Sequence, residues 1–457
     1  MNVKNMKDKK VLIVGLGKSG IAAAQAMLRL EAEVHIQDAK KEENVDPQLR
    51  AFLKEKGATC YFNRMPADMG YFDMLILSPG VSPELPFIQE AKEKGAEIVG
   101  ELEIAYRIGS GNYVAITGTN GKTTTTTLVG EIFKAAERKT YVVGNIGVAV
   151  ISASIDAPED AWLVTETSSF QLETTKYFKP VVSAILNLTP DHLDRHHTME
   201  AYGAAKAMIF ANQQEDGYVV LNADDPACFK LAGKDCKAKV VPFSRTKKLD
   251  FGAYVEDGQI VIKNEAGELV SFCGAGELKI IGAHNLENAL AAAAVCYFAG
   301  IDAEVIAEVL RTFGGVEHRI EYCGMVEGVK YYNDSKGTNV DAAVTALRAI
   351  GQNIILIAGG DGKSQDFDPF LAGFGGSVKH MLLLGKDAPL LQASADKVGF
   401  ADYSLVKDME EAVRKAYEIA VEGDTVLLSP ACASWDMYKN YEQRGDHFKE
   451  CVERLQR

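Results

Sequence analysis

Residues 113–127 read Tyr-Val-Ala-Ile-Thr-Gly-Thr-Asn-Gly-Lys-Thr-Thr-Thr-Thr-Thr, an apolar run that breaks into glycine and reopens on lysine and threonine. The order predicts a strand, then a loop through Gly118, Thr119, Asn120 and Gly121, then a helix opening on Lys122, Thr123 and Thr124. Such a loop turns backbone N–H groups and a helix N-terminus toward phosphate. Lys122 adds a positive charge, and the Thr123 hydroxyl suits Mg²⁺. The two glycines stand three residues apart, not the five of the commonest phosphate loop. Glycine also serves plain strand-to-helix turns, but that gives no reason for Lys and Thr to follow directly. The stretch points to an α/β protein that grips a nucleotide triphosphate.

Outward from it, apolar runs at 11–14, 34–37, 74–77, 162–165, 182–186, 218–221, 354–358, 381–384 and 425–428 alternate with longer helical patterns. That alternation is the mark of parallel α/β architecture, and nearly continuous apolar strands imply sheets covered on both faces. Many runs end on a small or polar residue: Gly15, Asp38, Ser78, Gly118, Glu166, Asn187, Gly359 and Ser429. Ligands of open α/β sheets bind outside the carboxyl ends of the strands, so these residues outline the expected sites. Three nucleotide-type beginnings follow one another, at Gly15–Gly20, at 118–123 and at Gly359–Lys363. Boundaries near 100 and 315 give each its own domain, namely 1–100, 101–315 and 316–457. Residues 244–275 are polar and weakly alternating, and read as a small antiparallel excursion.

Bulk properties exclude several classes. The chain has 457 residues, 47% apolar and 25% charged, an ordinary soluble composition. A net charge of −14 with no long Lys/Arg block argues against a nucleic-acid partner. The eight cysteines are scattered without a Cys-x-x-Cys pair, so neither a zinc site nor a disulfide framework is indicated. Lys4, Lys7, Lys9 and Lys10 precede an apolar run as in a signal peptide, but Lys18 interrupts it. The longest uncharged apolar run, 289–301, is too short to span a bilayer. The expectation is a cytoplasmic enzyme with no membrane partner, acting as a monomer.

Gly15–Gly20 with Asp38 beyond it fits a dinucleotide fingerprint, in which glycines admit a pyrophosphate and the carboxylate accepts from a ribose. A nicotinamide dinucleotide and a UDP-sugar share those groups, so the motif alone leaves both open. Glu166 sits at a strand tip, placed either to hold Mg²⁺ or simply to face solvent. Residues 191–197, Asp-His-Leu-Asp-Arg-His-His, could ligate a metal or position phosphate; His196 and His197 read as solvated loop residues. Lys206, on a helical pattern, reads locally as a solvated lysine. Asn285 and Asn288 open an alanine-rich helix and either meet an adenine edge or cap the helix. His318-Arg319, Asn333-Asp334-Ser335-Lys336 and Asp361-Gly362-Lys363-Ser364 bring basic groups beside Gly and Ser, suited to phosphate and carboxylate.

Taken together, the segments GLGKSG (15–20), LSPG (77–80), TGTNGKTTT (117–125), GNIG (144–147), ETSSFQLETT (166–175), DHLDRH (191–196), AAK (204–206), HNLEN (284–288), HR (318–319), NDSKGTN (333–339), GGDGKS (359–364) and SPACASWDMYKNYEQRG (429–445) resemble the Mur ligases. They span essentially the whole chain in the family's order. The last is the longest and is associated with the member that adds D-glutamate. The L-alanine-adding member would show a His pair after Asp334, where this chain has Ser335-Lys336. The Asp-Asn-Pro-Arg motif of the members adding lysine or diaminopimelate is absent.

The resemblance implies an α/β fold of three domains: a Rossmann-like domain for UDP, a central P-loop ATPase domain and a Rossmann-like C-terminal domain that closes on ATP and amino acid. It implies ATP-dependent addition of D-glutamate to UDP-N-acetylmuramoyl-L-alanine in peptidoglycan precursor synthesis, through an acyl phosphate. Lys18, Ser19, Asp38, Gly80 and Asn145 would hold the UDP-sugar. Gly118, Thr119, Asn120, Gly121, Lys122, Thr123, Thr124, Asn285, Asn288, Arg319 and Asp334 would bind ATP. Thr123 and Glu166 would take one Mg²⁺, and His192 with a carbamylated Lys206 a second. Lys336, Thr338, Lys363, Ser434 and Tyr441 would receive D-glutamate; the catalytic set would be Lys122, His192, Lys206 and Lys336. Where the family often has Thr-Arg after the ribose carboxylate, this chain has Ala39-Lys40, a departure in the UDP grip. An oxidoreductase reading would leave the phosphate loop, Arg319 and Lys363 without a role. A plain ATPase would need no amino acid.

Overall fold

A computed structural model describes residues 6–233, 236–362 and 365–456. Three sheets carry the architecture, each built around some of the apolar runs above. The first has five parallel strands in the order Thr59–Phe62, Glu33–Asp38, Lys10–Val14, Met74–Leu77 and Glu97–Gly100. Strand order reverses between Lys10–Val14 and Met74–Leu77, and the crevice beyond their carboxyl ends is where such sheets bind ligands. Gly15–Gly20 and Ser78–Val81 stand at those two ends.

The second sheet has nine strands. From one edge they run Thr140–Gly144, Trp162–Glu166, Asn112–Thr117, Val182–Ile185, Tyr218–Asn222 and Lys239–Ser244, all parallel. Gly252–Glu256, Gln259–Lys263 and Leu269–Gly274 complete it. The antiparallel excursion expected at 244–275 is therefore present as those last three strands, which extend the sheet away from the phosphate loop. The strand before that loop lies between Trp162–Glu166 and Val182–Ile185. Adjacency brings Gly118, Glu166 and Asn187 to one end of the sheet.

The third sheet has six strands in the order Glu321–Val326, Val329–Asn333, Thr425–Leu428, Ile354–Gly359, Val378–Leu384 and Tyr403–Leu405. Only the first pairs antiparallel.

By compactness the chain falls into two units: residues up to Glu277 with Glu287–Arg311, and Leu278–Leu286 with the residues from Thr312 on. The first two sheets belong together because one apolar core joins them. Ala22, Ala23, Ala26 and Met27 of the helix Lys18–Arg29 share it with Leu102, Ala105, Val150 and Ile151. At that junction the helix Glu101–Ile108 buries two carboxylates. Glu103 accepts N–H groups from Lys176, Tyr177 and Phe178 and pairs with Arg107. Glu101 accepts the Ile151 N–H at 2.6 Å, and its Oε2 has no protein partner. Burial pushes the Glu101 carboxyl up to about 7. In the second unit, both faces of the sheet are covered by separate apolar clusters. All eight cysteines are free thiols. No helix among the described residues is long and apolar enough to cross a membrane.

Candidate active site

The phosphate loop is built as its sequence demands. Gly118 and Gly121 have φ of +154° and +84°, and a Cβ on Gly121 would lie 2.3 Å from Asn288 Oδ1. The helix Lys122–Ala135 opens on Gly121. The segment after the strand Val182–Ile185 holds the loop from the side. Asn187 Oδ1 accepts the Asn120 N–H at 2.8 Å, Asn187 Nδ2 donates to Asn120 O at 3.1 Å, and Thr119 Oγ1 donates to Thr189 O at 3.1 Å. Lys122 Nζ donates to the Gly118 and Thr119 carbonyls at 2.9 and 2.7 Å, so its charge already sits over the loop. Thr124 is buried at the helix start, and Thr125 Oγ1 donates to Asn288 Oδ1 at 3.3 Å. Asn288 thus braces this loop; Asn285 Nδ2 donates instead to Ile281 O, within the other unit.

Glu166 is buried at its strand tip, which settles against the solvated alternative. Oε1 accepts from Asn145 Nδ2 at 2.8 Å, while Oε2 is buried without a protein partner. An orphaned carboxylate oxygen at a strand tip next to the phosphate-loop strand is what a bound Mg²⁺ would satisfy, so Glu166 fits the ion. Asn145, expected at the UDP-sugar, reaches the same carboxylate. Gly144 before it has φ +109°, and a Cβ there would lie 2.2 Å from Glu166 O.

Lys206 corrects the local reading of a solvated helix lysine. It is 1% exposed, donates to Gly118 O at 2.8 Å, and lies over the Tyr202 ring at 4.5 Å. Burial first, then the nearby Lys122 charge, bring its amine down to about 6. His196 is a second correction. It is buried, with Nε2 2.9 Å from Ser169 Oγ and its ring between Phe170 and Tyr202. The small hydroxyl of Ser169 and two aromatic faces take it out of water. His197 is exposed, near Glu84, as read. His192 is half-exposed at φ +53°, with ring centroids 4.8 Å from Phe170 and 6.4 Å from Tyr202. His192 and Lys206 therefore flank one tyrosine, whose hydroxyl meets Thr119 Oγ1 at 3.3 Å.

In the first sheet, Lys18 and Ser19 open the helix after the glycine loop, and Gly80 is exposed in the loop after Met74–Leu77. A Cβ on Gly20 would lie 1.9 Å from Gly15 O, which explains that glycine. Asp38 is buried, and its carboxylate accepts the Leu16 N–H at 2.6 Å and the Lys40 N–H at 2.8 Å. Its first task is to shape the glycine loop.

The second unit gathers its candidates at the carboxyl ends of Val329–Asn333 and Thr425–Leu428. Asp334 is buried, accepts from Ser429 Oγ at 2.7 Å, and burial raises its carboxyl to about 6 against the pull of Arg319. Arg319 Nε is buried without a partner, an unspent donor beside Asp334. Lys336 Nζ lies over the Tyr441 ring at 5.7 Å, and Thr338 follows in the same turn. Ser434 is buried in the loop after Thr425–Leu428. Lys363 lies outside the described residues.

Sequence reading assigned no role to Arg444, although it lies in the quoted 429–445 segment. It is buried, with Nε on Ser335 Oγ at 3.0 Å and Nη2 on the Ser335 and Cys432 carbonyls at 2.9 and 3.0 Å. It ties the Lys336 turn to the segment carrying Ser434. Tyr202 and Asn187 were likewise unassigned. Asn187's place at a strand end beside the phosphate loop was the available signal.

A phosphate loop, an orphaned strand-tip carboxylate and a buried lysine at one sheet end define a nucleotide-dependent enzyme. Comparison with known proteins gives the family. The chain matches the Mur ligase MurD-like N-terminal domain over residues 9–100, the Mur ligase middle domain over 116–296, and the Mur ligase glutamate ligase domain over 318–432. It belongs to the Mur ligase family. Among its relatives is the UDP-N-acetylmuramoylalanine–D-glutamate ligase of Alkaliphilus oremlandii, 48% identical over 99% of this chain and 100% of that one. Those of Thermoanaerobacter sp. strain X514 and Clostridioides difficile are 49% and 48% identical with the same coverage. Among solved structures, the UDP-N-acetylmuramate–alanine ligase MurC of Thermotoga maritima matches with a TM-score of 0.58 at 20% identity, covering 98% of this chain and 99% of that one. A pseudomurein peptide ligase of Methanothermus fervidus gives 0.55 at 19% identity, covering 98% and 100%. Both share the fold.

Proposed function

We propose that this chain is the ATP-dependent ligase that joins D-glutamate to UDP-N-acetylmuramoyl-L-alanine in peptidoglycan precursor synthesis. It would work in the cytoplasm as a monomer, in three domains bounded near 100 and 315. Full-length identity near 48% to proteins of that name carries the reading; the arrangement at the phosphate loop supports it independently.

The alanine carboxylate attacks the γ-phosphorus of ATP, forming an acyl phosphate and releasing ADP. The amine of D-glutamate then attacks the acyl carbon, loses a proton, and expels inorganic phosphate to leave the amide. Lys122 and the loop N–H groups stabilise charge on the transferring phosphoryl group. Asn187 and Asn288 keep that loop in place. Thr123 and Glu166 would hold one Mg²⁺, and His192 with Lys206 a second. A bound Mg²⁺ neutralises phosphate charge and orients the oxygens. A neutral, buried Lys206 amine is the form that can add carbon dioxide, forming an N–C bond and giving up one proton to leave a carbamate, a carboxylate-like ligand. Lys18, Ser19, Asp38, Gly80 and Asn145 would hold the UDP-sugar, with Asp38 acting through the glycine loop it shapes. Asn285, Arg319 and Asp334 would contact ATP, the unspent Arg319 Nε giving a donor for phosphate. Lys336, Thr338, Lys363, Ser434 and Tyr441 would receive the D-glutamate carboxylates.

Lys122→Ala tests the assignment. Phosphate release dependent on UDP-sugar and D-glutamate should fall by roughly 10²–10³-fold with the melting temperature little changed. Near-normal release would overturn the ATP site.

A further inference from the structure

One guanidinium holds the loop after Met74–Leu77 against the turn that carries His192. Arg195 Nη2 donates to Val81 O at 3.0 Å and pairs with Glu173. Its guanidinium carbon lies 5.2 Å from the centre of the Phe170 ring. Its own backbone N–H closes the turn on His192 O at 3.1 Å. The two paired side chains are only 15% and 17% exposed, so this is not a solvent-screened surface bridge.

Three segments meet here, each tied elsewhere to a different part of the site. Residues 78–81 are anchored to the glycine loop, where Ser78 Oγ donates to Gly15 O at 2.9 Å and Val81 N–H turns back on Ser78 O. Residues 170–173 follow Glu166, and Phe170 packs on both His192 and His196. His192 itself sits at φ +53°, which a non-glycine residue keeps only where its surroundings over-determine it. A guanidinium is the group for this task. Its planar fork can serve a carbonyl, a carboxylate and an aromatic face together, where an ammonium on a flexible stem serves them poorly.

We infer that Arg195 is a positioning residue: it sets the loop carrying Gly80 in register with the turn carrying His192, and so places the carboxylate end of the UDP-sugar for attack. This rests on the ligase reading above. Arg195 touches no reacting atom in that reading; it acts through Val81 and His192. The phosphate loop takes its support from Asn187 and Thr189, so the effect should be confined to one substrate.

Steady-state kinetics on the full chain, varying UDP-N-acetylmuramoyl-L-alanine, ATP and D-glutamate in turn, provide the test. Arg195→Met keeps an apolar stem over Phe170 and removes the fork; Arg195→Lys keeps the charge; Glu173→Gln keeps the shape and loosens the pair. In Arg195→Met, KM for the UDP-sugar should rise about tenfold and kcat fall, with KM for ATP and D-glutamate held within about twofold. Arg195→Lys should fall between it and the wild type. An unchanged UDP-sugar KM in Arg195→Met would overturn the inference, and so would a parallel rise in all three KM values, the mark of a general loosening. Should Arg195→Met not fold, Glu173→Gln decides: a UDP-sugar KM raised about threefold alone supports the inference, and no change refutes it. Wild-type turnover independent of the UDP-sugar would remove the ligase reading itself, and this inference with it.

Discussion

Lys206 shows what burial does to a single residue. An amine brought to about 6 from 10.5 is held neutral at pH 7 by the fold, while the unfolded chain would protonate it. Between those values the unfolded state binds more protons, so this group costs stability that is regained as pH rises toward 10.5 and is fully lost below about 6. Lys206→Met should therefore raise the melting temperature at pH 7 in bicarbonate-free buffer, by a few degrees for roughly 2–4 kcal/mol. The gain should shrink toward pH 10.5, and ligase turnover should be lost. Thermal melts at three pH values check the sign; a gain independent of pH would mean the amine is not held neutral. At this scale only part of the site was legible in the sequence. Lys122, Thr123 and Glu166 stood out because a motif or a strand tip marked them. Lys206 and His196 did not, since their burial is made by Tyr202, Phe170 and Gly118, which come from distant segments.

Elements position the site through their ends. The strand Asn112–Thr117 delivers the phosphate loop, Trp162–Glu166 the orphaned carboxylate, and Val182–Ile185 the asparagine that braces the loop. The helix Glu101–Ile108 fixes the start of this part of the chain, with Glu101 on the Ile151 N–H. Its carboxyl, raised from 4.5 to about 7, lends stability that is fully present below pH 4.5 and is lost as pH climbs through 7. Glu101→Gln keeps an acceptor for Ile151 without a charge. Its stability relative to wild type should improve from pH 5 to pH 8, by on the order of 2–3 kcal/mol at most, read from denaturant midpoints. A constant difference would show that the group does not titrate across that range. The strands legible in the sequence are interior ones whose apolar run is unbroken; Val329–Asn333 is interior too but escaped, because Lys330 interrupts its apolar run. The edge strands Thr59–Phe62, Glu97–Gly100, Thr140–Gly144 and Tyr403–Leu405 escaped because they are short and half-buried. Lys239–Ser244 escaped because Pro242 breaks its pattern.

Across the whole molecule, three sheets place their glycine-bearing loops at carboxyl ends, as the order of motifs suggested. The division is less plain than the motifs imply. The first two sheets share one apolar core and form a single compact unit, while the third stands with Leu278–Leu286 in another. No motif in the chain reports that sharing, because alanines such as Ala22, Ala23 and Ala26 carry it. On the reading proposed above, the choice of amino acid belongs to this scale as well, resting with Lys336, Ser434 and Tyr441. The most direct test is phosphate release from MgATP with UDP-N-acetylmuramoyl-L-alanine, run in parallel with D-glutamate, L-glutamate, L-alanine, L-lysine and meso-diaminopimelate. Release that requires both the UDP-sugar and D-glutamate is the predicted result; release with a different amino acid, or with neither substrate, would contradict it.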